Sequence, residues 1–297
     1  MPKTIILNQN NIVQNSGNST FLYEFPMGGV NFKDDLIALQ LVNIYNSVYN
    51  ITSVNNNNSF SYTWIDGSVV SVNLPDSNLS LAELNATLQN TMVQNKHYLV
   101  SGSSYIYLLE IVINASRYAN QINSFQISSA IATANSWTLP SGATWVLPTN
   151  SINPIFTVPS TNFQSLIGFK AGNYPNATIT GVPPSQIQTP TYTSSQSFLS
   201  YTAPQINPQP TYLCACSLVN NRLSVPSQLI SSITPQDVKF GGLFTYQIAD
   251  LVFCKIEDGN YTNFTFRFID NLGNPIIFQD PNTLILLIIK NKSELGH

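Results

Sequence analysis

The segment Thr283–Lys290 limits the fold more than any other stretch of this chain. It follows a turn at Asp280-Pro281-Asn282 and carries six consecutive Leu and Ile residues. A membrane helix would need about 20 apolar residues, so the segment is too short to span a bilayer. A strand with one exposed face alternates apolar and polar residues, whereas this segment is apolar on both faces. The sequence therefore predicts a strand in the middle of a sheet, covered on both sides.

A chain whose last strand is central must place earlier strands on both sides of it, as Greek keys and jelly rolls do. Asp34–Ile44 could also form a helix, but its β-branched residues and the Asn-rich stretch after it favour a strand. The sequence predicts eight strands for one sandwich: Ser19–Phe25, Asp35–Tyr49, Phe198–Thr202, Tyr212–Val219, Gln228–Ile233, Phe244–Glu257, Tyr261–Ile269 and Thr283–Lys290. The predicted class is mainly β, a single eight-stranded jelly roll with an inserted small α+β and loop domain.

On this count residues 1–52 and 190–297 form the jelly roll, and residues 53–189 are the insertion. The insertion begins with a hairpin around Asp66-Gly67 and contains one clear helix at about residues 80–95. Ser80 and Glu83 form a capping box at its start. Residues 137–210 hold 11 of the 18 prolines, which predicts ordered loops around an apolar plug, Phe163–Phe169.

The charge content is the most unusual property of the composition. Charged residues make up 8% of the chain, against roughly 25% in an average protein. A neutral polar surface suits a protein that packs against copies of itself or its neighbours, because few charges have to be desolvated. An Asn-rich coding bias of the host explains it equally well. The net charge of −3 without a basic cluster argues against direct nucleic-acid binding, and neither a membrane span nor a secretory signal is visible.

The three cysteines, Cys214, Cys216 and Cys254, lack the spacing of a metal site. They are expected to be free and buried, which indicates a reducing compartment. The sequence indicates no catalytic, cofactor-binding or metal-ligating residue and no enzyme activity. The chain has two histidines, so a histidine-based site would depend on His97 alone among internal positions. A hydrolase could still use Asp250, Glu257 and Asp270 as paired acids, if they met in a cleft.

The aromatic residues leave an alternative function open. Exposed aromatic rings can form a platform for sugars, although such residues are more often core or interface anchors. The alternative is therefore a carbohydrate-binding or host-attachment β-sandwich protein. The residues considered for this platform are Trp64, Trp137, Trp145, Tyr62 and Tyr98.

Several blocks, in this order and spacing, resemble the penton (vertex, or minor capsid) proteins of virophages and Polinton/Maverick-like elements. The resemblance is in particular to those of mavirus-like virophages. The resemblance spans nearly the whole chain, and it depends on the order of the blocks rather than on any single one. The blocks are Phe21–Pro26, Ile37–Thr52, Phe60–Trp64, Leu79–Leu88, Phe163–Pro175, Cys216–Asn221, Phe240–Gly242 and Asp258–Asp270.

The resemblance implies a structural capsid protein rather than an enzyme. Penton proteins of this kind form homopentamers that close the fivefold vertices of an icosahedral virion, beside a double-jelly-roll major capsid protein. A host receptor at the vertex is a further partner to be considered, and assembly would take place in the reducing interior of the host cell. The N-terminal arm, Met1–Ser19, would reach toward neighbours or the capsid interior. The sequence assigns no cofactor and no interface residues.

Overall fold

The computed structural model describes residues 3–175, 194–206, 211–235 and 238–294. The protein is mainly β and contains several sheets. The chain divides into two compact units, Met1–Tyr49 with Gln209–His297, and Asn50–Pro208. We call the first the split unit and the second the inserted unit. The sequence-based boundaries at residues 53 and 189 both fall within the inserted unit.

Short strands dominate both units. In chain order the strands are β1 Lys3–Asn8, β2 Thr20–Glu24, β3 Val30–Phe32, β4 Asp35–Tyr45, β5 Ser59–Thr63, β6 Val69–Asn73, β7 Leu99–Ser101, β8 Ser104–Ile106, β9 Leu109–Asn114, β10 Ala119–Ser124, β11 Ile155–Val158, β12 Gly172–Tyr174, β13 Gln196–Leu199, β14 Tyr212–Cys216, β15 Leu229–Ile233, β16 Leu243–Gln247, β17 Cys254–Lys255, β18 Gly259–Tyr261, β19 Asn263–Ile269 and β20 Thr283–Asn291. The α-helices are α1 Leu81–Gln94, α2 Ser129–Ala134 and α3 Phe163–Ile167.

The split unit contains two main antiparallel sheets. The first sheet has the order β1-β20-β4-β16, and β17 pairs with the other end of β4. The second sheet has the order β15-β14-β19-β2. The last strand, β20, therefore lies between β1 and β4, and its central position is the one that its apolar sequence predicts.

The core of the split unit lies on the inner faces of these two sheets. Strand β20 contributes Ile285 and Leu287, and β19 contributes Phe264, Phe266 and Phe268, all fully buried or nearly so. The rings of Phe266 and Phe268 meet edge to face with their centres 5.3 Å apart. Such aromatic pairs add stability beyond the apolar area that they bury.

The N-terminal prediction needs correction. Part of the expected arm is strand β1, which pairs with β20 over six residues from Lys3 to Asn8. Ile5 and Leu7 alternate with exposed Thr4 and Ile6, and they are buried in the core of the split unit. Lys3–Asn8 therefore belongs to the sandwich and is not a free arm.

The predicted strand Phe198–Thr202 does not belong to the sandwich. Its counterpart β13 pairs with β10 in the inserted unit, where Phe198 packs against the apolar core. The predicted long strand Phe244–Glu257 is also interrupted, because only its two ends, β16 and β17, pair with β4. Between them the chain passes through exposed Ala249 and Asp250.

The inserted unit has its own core. Strands β5 and β6 form a hairpin through Asp66-Gly67, and Gly67 has a φ of +87° that favours glycine. Helix α1 begins after Ser80, whose side chain accepts a hydrogen bond from the backbone of Glu83, as the capping box predicts. Its apolar face packs into the core, which also contains Phe163 of the predicted plug.

Candidate functional site: the outer face of the first sheet

The outward side of β20 is only partly covered, contrary to the prediction. Ile285, Leu287 and Ile289 point into the core and are buried, whereas Leu284, Leu286 and Ile288 face outward and are partly exposed. The prediction of cover on both sides is thus wrong for the single chain. The sequence pattern shows that both faces of the strand are apolar. It does not show whether residues of the same chain pack against both faces.

The apolar surface continues across the neighbouring strands. Leu286 stands opposite Ile6 on β1 and opposite Leu41 on β4, so the three side chains form one row on the outward face. Ile6 and, on the fourth strand, Leu243 are each 52% exposed. We call this surface the outer face; its apolar members are Ile6, Leu41, Leu243, Leu284, Leu286 and Ile288.

The second sheet provides a comparison within the same unit. Its central strand β19 also buries alternate residues, but the outward positions are Asn263, Thr265 and Arg267. Arg267 donates a hydrogen bond to Gln228 at 2.8 Å. This strand therefore has the polar outward side that water normally covers. The outward side of β19 is thus polar, whereas that of β20 between Leu284 and Ile288 is apolar.

A shallow groove lies at one end of the outer face. Its volume is about 340 Å³, and amide side chains dominate its lining. The side-chain oxygen of Asn43 is buried and has no hydrogen-bond partner among the described residues. Such an atom costs about 1–3 kcal/mol unless a donor reaches it. The lining residues are Asn8, Gln9, Asn10, Asn43, Tyr45, Leu243, Asn282, Thr283 and Leu284.

Charged residues are found at the opposite end of the sheet. The Lys255 ammonium group lies 3.8 Å from Asp34 and 3.7 Å from Asp258, and all three side chains are well exposed. The backbone N–H of Asp34 also donates to Asp258 at 3.0 Å. Exposed pairs of this kind contribute little stability. They lie beside the connection into β4, at the end of that strand opposite Tyr45.

The carboxylates considered for a hydrolase each have a local structural role or lie in solvent. Asp270 accepts backbone hydrogen bonds at 2.8 Å from both Leu272 and Asn274, which closes the turn after β19. Glu257 accepts a hydrogen bond from Asn220, and Asp250 is exposed on a loop. Among residues 3–175, 194–206, 211–235 and 238–294, no cluster of three or more His, Cys, Asp or Glu could hold a metal ion.

The residues considered for a sugar platform are mostly in the core of the inserted unit. Tyr62, Trp64, Tyr98 and Trp145 are buried, so they present no flat surface to a ligand. The indole N–H of Trp145 donates to the Lys96 carbonyl at 2.8 Å. These four aromatic side chains therefore stabilise the inserted unit, and Trp137 is only partly buried beside them.

The cysteines are free thiols, as the sequence predicts. Cys214 and Cys216 are buried on β14, and Cys254 on β17 is partly buried. Burial raises the pKa of Cys216 to about 12, and it raises the pKa of the other two thiols as well. A thiol with a raised pKa carries little nucleophilic thiolate at neutral pH.

Sequence reasoning did not identify the residues of the outer face as a surface. The signal was present in the six-residue apolar run of β20, where every second residue had to face away from the core. Ile6, Leu41 and Leu243 belong to the outer face only because of the register of strands that are distant in the chain.

In the part of the chain that the structure describes, no helix is both long and apolar enough to cross a bilayer.

Comparison with known proteins gives two similar solved structures. No protein-family profile matches the sequence, and no curated protein matches it. The chain is similar to the mavirus penton protein in its crystal structure, with 10% identity, 97% of each chain covered and a TM-score of 0.43. It is also similar to a chain in the 3.5 Å cryo-EM structure of the Sputnik virophage, with 11% identity, 100% of this chain and 99% of that chain covered, and a TM-score of 0.40.

Proposed function

We propose that this protein is a capsid subunit and that five copies of it close each fivefold vertex of an icosahedral virion. The observation that carries the proposal is the strand order of the split unit. Two antiparallel sheets, with the orders β1-β20-β4-β16 and β15-β14-β19-β2, pack face to face with the last strand inside the first sheet. This order supports a jelly roll, because most strands that are neighbours in each sheet are distant in the chain, with the inserted unit between β4 and β14 in sequence.

The blocks that resemble penton proteins support the same function. They occur in both units, and one of them, Asp258–Asp270, contains β19, an inner strand of the second sheet. Under this proposal the split unit is the jelly roll of the vertex and the inserted unit is a separate domain of the subunit. The protein would be located in the virion.

The expected partners are further copies of the chain and a double-jelly-roll major capsid protein. A closed ring of identical subunits uses one heterologous contact repeated around the axis. A neutral surface favours such contacts, because desolvation of charged side chains at an interface opposes binding. The protein would assemble in the host interior, where its three thiols stay reduced.

The test is the mass of the purified chain in solution, alone and with the major capsid protein. Light scattering after size exclusion measures the mass, and negative-stain microscopy shows whether rings form. A fivefold mass or fivefold rings would support the proposal, and so would a monomer that enters shells only with the major capsid protein. A chain that neither forms rings nor enters a shell would overturn it.

A further inference from the structure

We propose that the outer face of the first sheet is the surface through which this chain docks onto a second copy of itself. The inference rests on the proposed capsid role and adds to it the surface that makes the contact. It begins from the central strand β20, whose outward residues Leu284, Leu286 and Ile288 are as apolar as its inward ones. An apolar surface that spans several strands is a common mark of an interaction site.

The charge pattern favours a copy of this chain as the occupant. The outward rows from Ile288 to Tyr45 carry only Leu, Ile, Ala, Asn, Gln, Thr and Tyr side chains on the described strands. The next outward residue of β20 is Lys290, whose ammonium group lies 5.3 Å from the ring centre of Phe253. A partner with an ordinary charged surface would have to desolvate its charges against Leu and Ile side chains. A copy of this chain brings few charges, because only 8% of its residues are charged.

The size of the outer face indicates how strong one contact can be. Four strands about 4.8 Å apart and the five residues of β20 from Leu284 to Ile288, at about 3.4 Å per residue, give a face of roughly 330 Å². A standard stable interface buries about 800 Å² on each partner. A contact limited to this face is therefore weak in a pair of subunits and gains strength when every subunit of a closed ring makes two contacts.

The groove at one end of the face gives the contact a defined position. Leu243 and Leu284 border it, and the side chains of Gln9, Asn10 and Asn282 are exposed in its lining. These amide groups can exchange hydrogen bonds with polar groups of the second copy. An apolar surface with a few polar groups at fixed positions is the usual composition of a specific interface.

The experiment adds two charges to the face without touching the core. The variant is Ile6→Glu with Leu243→Glu, since both side chains are half exposed and their loss leaves the core unchanged. The matched control is Met27→Glu with Leu272→Glu, which adds the same two charges at fully or largely exposed positions outside the face. Thermal unfolding checks that all three proteins are folded, and sedimentation over a concentration series measures self-association.

We expect the wild type and the control to associate with dissociation constants within a factor of about two of each other. The face variant should associate at least about tenfold more weakly, since a buried unpaired charge opposes the contact. Equal association of the face variant and the wild type would overturn the inference and leave the capsid proposal intact. The inference would also be overturned if the wild type stayed monomeric at every concentration and only the face variant failed to enter shells. The face would then belong to a contact with another shell component.

Discussion

The hydroxyl oxygen of Tyr62 and Nδ1 of His97 lie 2.9 Å apart inside the inserted unit. The imidazole of His97 also stacks on Trp64, with ring centres 4.9 Å apart and planes 8° from parallel. Burial lowers the pKa of His97, and the carboxylate of Asp66 opposes that effect only in part. The neutral imidazole is thus a structural part of this core, with one ring nitrogen bound to a phenol.

This contact predicts that the inserted unit loses stability in mild acid. Because the pKa of His97 in the folded chain is below its ordinary value of 6.5, the unfolded chain takes up a proton first as the pH falls. The contribution of His97 to the free energy of unfolding is therefore fully present above about pH 6.5. It decreases as the pH falls from there to the pKa of His97 in the folded chain. Chemical unfolding of the chain at a series of pH values measures this change.

The variant His97→Asn keeps an acceptor for Tyr62 but does not titrate, so its stability should change less between about pH 7 and pH 5. The matched control is His297→Gln, which removes the other histidine of the chain. The control should keep the pH dependence of the wild type. If His97→Asn and the wild type showed the same pH dependence, His97 would not be the group responsible.

Two neighbouring leucines of β20 provide a second prediction. Leu287 is fully buried in the core, whereas Leu286 faces outward beside Ile6 and Leu41. Leu287→Ala should lower the free energy of unfolding by about 2–5 kcal/mol, because it leaves a cavity. Leu286→Ala should cost the isolated chain clearly less. Urea unfolding of both variants at low protein concentration measures the difference, and equal losses would show that both sides of β20 are covered within one chain.

The three thiols should differ in reactivity. Cys214 and Cys216 are buried with raised pKa values, and Cys254 is the least buried of the three. Maleimide treatment of the folded protein should therefore label Cys254 first, and only unfolding should expose the other two. Mass spectrometry counts the labels, with Cys254→Ser as the control that should stay unlabelled. Rapid native labelling of Cys214 or Cys216 would contradict the packing of β14.

The cap of helix α1 supplies a fourth prediction. The Ser80 side chain accepts a hydrogen bond from the Glu83 backbone N–H, and the Glu83 carboxylate accepts one from the Ser80 backbone at 2.7 Å. Ser80→Ala should lower the stability of the inserted unit by about 0.5–2 kcal/mol, since an N–H at the helix start loses its partner. Hydrogen exchange of the backbone amides of α1 measures this loss of stability at the helix itself. Asn90→Ala, at an exposed position inside the same helix, should leave the exchange nearly unchanged or slow it.

Local patterns predicted several elements well. Helix α1 begins where Ser80 and Glu83 form the capping box, and the β5–β6 hairpin turns at Asp66-Gly67. Both features depend on residues that are close in the sequence, so that the chain specifies them locally. The candidate surface could be predicted only in part. The run in β20 indicated two apolar faces, but the outer face also needs Ile6 and Leu41, which belong to other strands.

The misplaced strands show where local patterns are insufficient. Lys3–Asn8 and Gln196–Leu199 are both short segments with two or three consecutive large apolar residues, yet the first pairs with β20 and the second with β10. Which partner a short strand finds depends on contacts between residues far apart in the chain, and a single sequence does not display those contacts.

The amino-acid sequence by itself determined the β class, the start of helix α1 and the central position of β20. These properties follow from residue periodicity and from hydrogen bonds between near neighbours. Only the tertiary structure decided that Lys3–Asn8 completes the first sheet, and that Leu287 is buried while Leu286 lies on the partly exposed outer face. The physical reason is that a two-residue period separates the faces of a strand, whereas the packing of distant strands decides which face is buried.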